Sequence, residues 1–175
     1  MKKIIAALLL VGPGLLIQAY AAENNLAHQS YKVSADAGIA AEQKAVYDTI
    51  NRYQTALNAG DTNTILSLFA SESYSQWNEK PTADTSEKRR QQYDDLFKKE
   101  KFETEFAYDS VRVNGNMAYV RTHHHRGATV SRISDGATLI DLNREVFILE
   151  KQQGHWKIVV YTFNTNYSGS GLSNY

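Results

Sequence analysis

The 175-residue sequence contains no cysteine and has no excess of charge of either sign. Without cysteine the chain can form no disulfide bond, and it offers no thiolate as a nucleophile or metal ligand. Its 19 basic and 19 acidic residues argue against a nucleic-acid partner, because such partners require a basic face. Aromatic residues, in contrast, are plentiful: eleven tyrosines, six phenylalanines and two tryptophans favour strands and an aromatic-lined interior.

The sequence also lacks a long unbroken apolar run, which decides how its N-terminus is interpreted. Lys2-Lys3 precede an apolar stretch over residues 4–17 that Gly12-Pro13-Gly14 interrupts. A membrane span needs roughly 18 to 20 apolar residues, whereas this pattern, followed by Ala19-Tyr20-Ala21, is typical of a cleaved secretory signal. We therefore expect residues 1–21 to be a signal peptide. The mature protein is then secreted, into a bacterial periplasm, with no membrane segment.

The remaining chain predicts one domain. Residues 22–35 are polar and aperiodic, which indicates a flexible leader, and residues 165–175 indicate a disordered tail. Residues 36–164 form the domain between them, with apolar side chains at helical spacing in three segments before Glu100 and alternating at strand spacing after it. Gly60-Asp61 provides a left-handed stop for the first helix and an N-cap for the second.

Turn signals divide the second half of the domain into long strands. Asn114-Gly115, Asp135-Gly136 and the weaker Gln153-Gly154 mark hairpins. The apolar parity flips between Phe106 and Val111, which predicts a bulge near residues 108–110. The predicted fold class is α+β: three N-terminal helices packed in the concave face of a strongly curved antiparallel sheet. Residues 74–81, which carry Trp77, are expected to be a loop or a short irregular strand.

Two-residue turns at the second and third hairpins would fix the register of the strands. They place Arg126 opposite Glu145, Arg121 opposite Glu150, and Glu150 opposite Lys157, three pairs of opposite charge. His124 then points inward, while His123 and His125 point outward. The outer face is too apolar for plain solvent exposure, and we expect a homodimer to form through it. Its expected contact residues are Val146, Ile148, Val159, Tyr161 and Phe163.

Charged clusters on the third helix predict a solvated surface. Arg89-Arg90 and Lys98-Lys99-Lys101 are expected to face water rather than to bind an anion. His123 and His125 have the spacing of a His-x-His zinc site, but no third ligand lies at motif spacing, so we expect no metal. No P-loop, dinucleotide fingerprint or nucleophile elbow is present, and no cofactor is expected.

The helical half carries a recognisable motif. From Arg52 to Ala70 the chain reads RYxxALNAGDxxxIxxLFA, and a GHWKIV segment begins at Gly154. Over roughly residues 42–164 this resembles the nuclear transport factor 2-like superfamily, whose members include ketosteroid isomerases and SnoaL-like polyketide cyclases. The resemblance implies a cone formed by a curved sheet wrapped on three helices.

The resemblance also implies roles for particular residues. Tyr53 matches the tyrosine that donates to the developing enolate oxygen in ketosteroid isomerases. Glu145, by position alone, would match their protonated carboxylic-acid donor. Where those enzymes carry an aspartate base, residues 73–77 read SYSQW, without a carboxylate. Without that base the proton-transfer step of the isomerase is lost, so the sequence favours a binding protein over an enzyme.

Three functions stay open. The first is a secreted SnoaL-like protein that binds a small, partly apolar molecule. The second is an isomerase, cyclase or dehydratase whose candidate catalytic residues are Tyr53, His124 and Glu145, with His124 or Glu145 as base. The third is a dimeric protein-interaction module that uses the outer sheet face. The candidate ligand-binding residues are Tyr53, Trp77, Thr122, His124, Arg126, Glu145, Phe147 and Thr162.

Overall fold

The computed structural model of this chain describes residues 31–124, 129–140 and 143–165. The predicted signal peptide, most of the predicted leader and nearly all of the predicted tail lie outside the described residues. So do His125 and Arg126. Within the described ranges, no helix is both long enough and apolar enough to cross a bilayer.

In the described part of the chain, three helices form where the sequence predicts them: α1 (Ala37–Ala59), α2 (Thr62–Leu68) and α3 (Ser86–Phe97). Gly60 ends α1 in the left-handed conformation, with φ of 65°, as predicted. Asp61 begins α2 by accepting a hydrogen bond from the Thr64 amide at 3.0 Å, which confirms the predicted cap. Thr85 caps α3 in the same way through the Lys88 amide.

Within residues 31–124, 129–140 and 143–165, eight strands form two sheets. A five-stranded sheet has the order β1-β8-β7-β4-β3, and a three-stranded sheet has the order β2-β5-β6. The strands are β1 (Phe69–Trp77), β2 (Glu100–Glu103), β3 (Phe106–Asn114), β4 (Met117–His124), β5 (Thr129–Arg132), β6 (Thr138–Ile140), β7 (Asn143–Gln152) and β8 (His155–Thr165). The α+β class is therefore as predicted, except that the larger sheet is mixed, because β1 runs parallel to β8.

Polar side chains of α1 attach this helix to the edge of β3. Asn58 donates to the Thr104 carbonyl and accepts from the Thr104 amide, both at 2.8 Å. Gln54 accepts from the Phe106 amide at 2.6 Å, and Gln43 donates to the Val111 carbonyl at 2.7 Å. These bonds satisfy backbone groups at the edge of the sheet. They also fix α1 along β3, so that Tyr53 lies over the inner face.

The predicted register between β4 and β7 is wrong. Thr122, rather than Arg126, lies opposite Glu145, and Arg121 lies opposite Val146 rather than Glu150. The cause is that the Asp135-Gly136 turn joins the short strands β5 and β6 instead of joining β4 to β7. The slip from position 126 to position 122 is even, and strand side chains alternate with a period of two. The predicted burial of His124 and Glu145 is therefore confirmed.

The predicted register between β7 and β8 is correct near the turn but wrong beyond a bulge in β8. Glu150 lies opposite Lys157, as predicted, but Val159 has no partner residue on β7. After this extra residue Phe147 pairs with Tyr161 rather than with Val160. A bulge of one residue reverses the faces of everything that follows it.

This bulge reverses four predicted positions. Tyr161 and Phe163 lie on the inner face, not the outer one, whereas Val160 and Thr162 lie on the outer face, not the inner one. Residues 158–163 read IVVYTF, which is nearly all apolar in both parities. The alternation that normally reveals a bulge is therefore missing here. The bulge at residues 108–110, where the parity does flip, is confirmed.

Candidate functional site

One row of paired residues crosses the inner face where β1 and β4 end and β7 begins. Trp77 pairs with Phe163, which pairs with Glu145 on its other side. Glu145 lies opposite Thr122, and Thr122 lies opposite Tyr108. We call these five residues the inner row; with strands about 4.8 Å apart, it is roughly 19 Å long. Trp77 and Phe163 are half-buried, so solvent reaches that end of the row.

The carboxyl group of Glu145 is the polar centre of the inner row. Its Oε2 accepts a hydrogen bond from the Thr122 hydroxyl at 2.7 Å, and its Oε1 lies 2.9 Å from Nε2 of His124. The side chains of His124 and Glu145 are only 2% and 1% exposed. With a proton on Nε2 of His124, both neighbours donate to a carboxylate. Each carboxylate oxygen keeps a second lone pair, so the group can accept from a ligand.

A chain of tyrosine hydroxyls runs above the inner row. The hydroxyls of Tyr53 and Tyr93 lie 2.7 Å apart, and Tyr161 also forms a hydrogen bond with Tyr53. Burial is the main cause that raises the pKa of Tyr53 and Tyr93 well above 10, and the charge of Glu145 adds to this effect. These phenols therefore stay protonated at neutral pH. They can donate hydrogen bonds but cannot serve as bases.

Aromatic rings enclose Tyr53. Its ring centroid lies 5.4 Å from that of Phe147, 5.4 Å from that of Tyr161 and 6.2 Å from that of Phe106. Phe147 and Tyr161 stack on each other at 4.7 Å. The His124 ring stacks on Phe106 at 5.4 Å, which continues the aromatic wall to Glu145. The polar centre is thus embedded in apolar surface.

The structure brings together most of the predicted ligand-binding residues. Thr122, His124 and Glu145 are in direct contact, with Tyr53 and Phe147 beside them. Trp77 belongs to the same row, two strands from Glu145. The remaining two residues do not join them: Thr162 faces outward, and Arg126 is outside the described ranges.

Five residues of this region were missed as site residues: Arg89, Tyr93 and Tyr161, together with Tyr108 and Phe163 of the inner row. The prediction that Arg89 faces solvent is wrong, since it is only 1% exposed. The sequence does contain a signal for the burial of Arg89. Arg89 lies four residues before the aromatic Tyr93 on α3, so the two side chains share one helix face.

The outward histidine has a different environment. His123 Nδ1 lies 3.0 Å from Asp109, which also accepts a hydrogen bond from Arg121 at 3.2 Å. Among the described residues, no group of three or more potential ligands could hold a metal ion.

Comparisons with known proteins identify the fold. No family model and no curated protein matches the sequence. Solved structures do match. A ketosteroid isomerase-like protein from Erwinia carotovora atroseptica is 19% identical, with 71% of this chain and 95% of that chain covered and a TM-score of 0.66. A nuclear transport factor 2-like superfamily protein from Salmonella enterica serovar Typhimurium is 20% identical, with 76% and 96% covered and a TM-score of 0.62.

A third solved structure shares the fold. A putative scytalone dehydratase from Novosphingobium aromaticivorans is 15% identical, with 72% of this chain and 85% of that chain covered and a TM-score of 0.61. Identities this low establish architecture and leave activity to the site itself. The predicted nuclear transport factor 2-like fold is confirmed.

Proposed function

We propose that this chain is an exported protein that binds a small, partly apolar molecule along the inner row. The observation that carries the proposal is the Glu145 carboxyl, held by Thr122 and His124 inside an aromatic wall. A small-molecule site usually consists of a small number of convergent polar groups within a mainly apolar lining. A buried pair of this kind, even with both groups charged, often stabilises a fold no better than apolar residues of similar volume. Ligand recognition accounts for the presence of the buried His124–Glu145 pair.

The geometry favours a ligand that donates a hydrogen bond. With the proton of His124 on Nε2, both oxygens of Glu145 face donors, so the carboxyl group serves as an acceptor. That differs from the protonated donor that the resemblance to ketosteroid isomerases implies at this position. A hydroxyl or phenol group on an aromatic or aliphatic body fits the remaining acceptor capacity of Glu145.

Substitution of Glu145 by glutamine tests this proposal, because it preserves shape and removes the charge. We expect 4-methylphenol to bind the wild-type chain, and Glu145→Gln to bind it about tenfold more weakly, since a hydrogen bond to a charged group is lost. Isothermal titration calorimetry measures both affinities. Glu150→Gln, the same change at the far end of β7, should bind like wild type. Equal affinities for wild type and Glu145→Gln would contradict the proposal.

An acid–base enzyme is the second candidate, favoured by the contact between His124 and Glu145. His124 or Glu145 would take a proton from the bound molecule, and Tyr53 would donate to the oxygen that becomes negative. Absorbance assays of each ligand that binds, with wild type and Glu145→Gln, separate turnover from binding.

Export rests on the N-terminal sequence pattern, and N-terminal sequencing of the secreted chain would check it.

We also propose that two copies of the chain associate through the outer sheet face. One row of apolar side chains crosses four strands there: Tyr119, Ile148, Val160 and Tyr74. Tyr74 is 52% exposed. Contiguous apolar surface of this kind marks interfaces between subunits. This row replaces the predicted contacts of Tyr161 and Phe163, which lie on the inner face.

If two copies associate through this row, a charged substitution within it should lower the mass of the protein in solution. Ile148→Asp places a charge in the centre of the row and should convert a dimer into a monomer. Size-exclusion chromatography with light scattering measures the mass. Asn116→Asp adds the same charge at an exposed turn and should leave the dimer intact. A monomeric wild-type chain would rule out this association.

A further inference from the structure

Arg89 is a cation held inside the protein by neutral groups. Its Nε donates to the Ser75 hydroxyl at 2.8 Å, and its Nη2 donates to the carbonyls of Ser73 and Ala83 at 3.0 and 3.3 Å. The guanidinium lies 4.1 Å above the ring of Phe69. No carboxylate among the described residues is hydrogen-bonded to it.

A buried charge is costly unless it is paired, and Asp84 compensates Arg89 through space only, without a hydrogen bond to it. Burial is the largest cause that lowers the pKa of Arg89, although a guanidinium remains charged at neutral pH. The contacts to Ser75, Ser73 and Ala83 pin α3 to β1 and account for Nε and Nη2. They leave the two hydrogens of Nη1 without a described acceptor. A structural role alone therefore explains only part of this side chain.

A second donor lies on the same face of β1. The Nε1 atom of Trp77 is buried and has no hydrogen-bond partner among the described residues. Trp77 is two residues beyond Ser75, and the two side chains therefore point to the same side of the strand. Tyr93 joins the two donors: its ring lies edge-on to Trp77 at 4.9 Å, and it follows Arg89 by one turn of α3.

From this arrangement we infer that Arg89 and Trp77 form an anion-recognising end of the inner row, and that the ligand is an aromatic hydroxy-carboxylate. This inference rests on the proposed function. The ligand carboxylate accepts from Nη1 of Arg89 and from the indole N–H of Trp77. Its hydroxyl donates to Glu145, two strand spacings or about 10 Å away. Phe163 lies between Trp77 and Glu145 in the row, and the half-buried side chains of Trp77 and Phe163 mark where solvent reaches it.

Charge complementarity supports this orientation. Glu145 would repel a carboxylate and accept from a hydroxyl, whereas Arg89 attracts a carboxylate. The two ends of the row thus select opposite ends of one molecule. Aromatic side chains between them provide a surface on which the ring of the ligand stacks.

The experiment compares 4-hydroxycinnamate, which has both groups, with 4-methylphenol, which has only the hydroxyl. Calorimetry on the purified chain should give at least tenfold tighter binding of 4-hydroxycinnamate, because a charge-assisted hydrogen bond is added. Trp77→Phe removes one N–H and keeps the packing, and should reduce this preference to about threefold. Arg89→Lys removes Nη1, keeps a cation and should reduce the preference as well.

A matched control is available at the other end of the sheet. Trp156 is the second tryptophan, and its indole N–H donates to Glu42 at 2.9 Å. Trp156→Phe should therefore keep the full preference for 4-hydroxycinnamate. If 4-methylphenol binds in a Glu145-dependent manner and the carboxylate adds no affinity, the inference is wrong and the proposed function stands.

Two other outcomes complete the test. A carboxylate preference that survives Trp77→Phe and Arg89→Lys unchanged would overturn the inference. Binding that depends on Trp77 and Arg89 but is unaffected by Glu145→Gln would support the anion end and refute the proposed role of Glu145. If neither probe binds, both proposals fail.

Discussion

Replacement of His124 by phenylalanine should lower the free energy of unfolding by about 3–5 kcal/mol, the usual effect of leaving a buried carboxylate without its partner. Phenylalanine preserves the stacking on Phe106 but cannot donate to Oε1 of Glu145. The carboxylate then keeps only Thr122 as donor, inside an apolar wall that offers no solvent. Urea denaturation followed by circular dichroism measures the loss.

The double variant His124→Phe/Glu145→Met is the control for this prediction. It removes the charge together with its partner and retains a side chain of similar length, so most of the lost stability should return. The remaining deficit should be about 1 kcal/mol, because the Thr122 hydroxyl loses its acceptor. If the double variant is less stable than His124→Phe, the pair stabilises the fold directly. The argument for a recognition role is then weakened.

The helices and their ends follow from local chemistry, and the sequence predicts them well. Gly60 permits the left-handed residue that ends α1, and the Asp61 carboxylate satisfies an amide that α2 leaves free. Such signals act over a few residues and need no knowledge of the rest of the chain. The α+β class follows from the change of period at Glu100 for the same reason.

Strand register depends on partners distant in sequence, and the sequence predicts it less well. The Asp135-Gly136 turn is real, but the strands it joins are the short β5 and β6, which no periodicity distinguishes. The bulge at Val159 lies in an apolar run that would suit either face. His124 and Glu145 were still placed inside, because a slip by an even number of residues preserves the face.

Arg89 shows a different limit of sequence interpretation. A pair of arginines near the start of a polar helix normally faces water, and Arg90 does bond to Asn63 at the surface. Only the tertiary structure shows that β1 supplies a hydroxyl and carbonyl groups that accept from Arg89 in the interior. For the second half of β1, from Tyr74 onward, the sequence predicts only a loop or a short irregular strand. Its inward serines are too small and polar to mark a buried face in the sequence.

Tyr53 permits the most direct separation of a packing role from a chemical one. Substitution by alanine should lower the free energy of unfolding by about 3–5 kcal/mol, the typical effect of deleting a buried aromatic ring. Tyr53 is 1% exposed, and its ring contacts Phe106, Phe147 and Tyr161. Tyr53→Phe keeps these ring contacts and loses the hydroxyl, so it should lower the free energy of unfolding by only about 1–2 kcal/mol. Thermal and urea denaturation measure both variants.

The two Tyr53 variants also bear on the resemblance to ketosteroid isomerases. A tyrosine whose hydroxyl contacts a ligand directly would lose ligand affinity on substitution by phenylalanine while the fold stays intact. The Tyr53 hydroxyl is instead bonded to Tyr93 and Tyr161, so its effect on a ligand must pass through those phenols. We therefore expect Tyr53→Phe to change 4-methylphenol affinity by less than about threefold, well short of the loss expected for Glu145→Gln. A tenfold loss in Tyr53→Phe would instead place this hydroxyl in contact with the ligand, as in the enzymes of the superfamily.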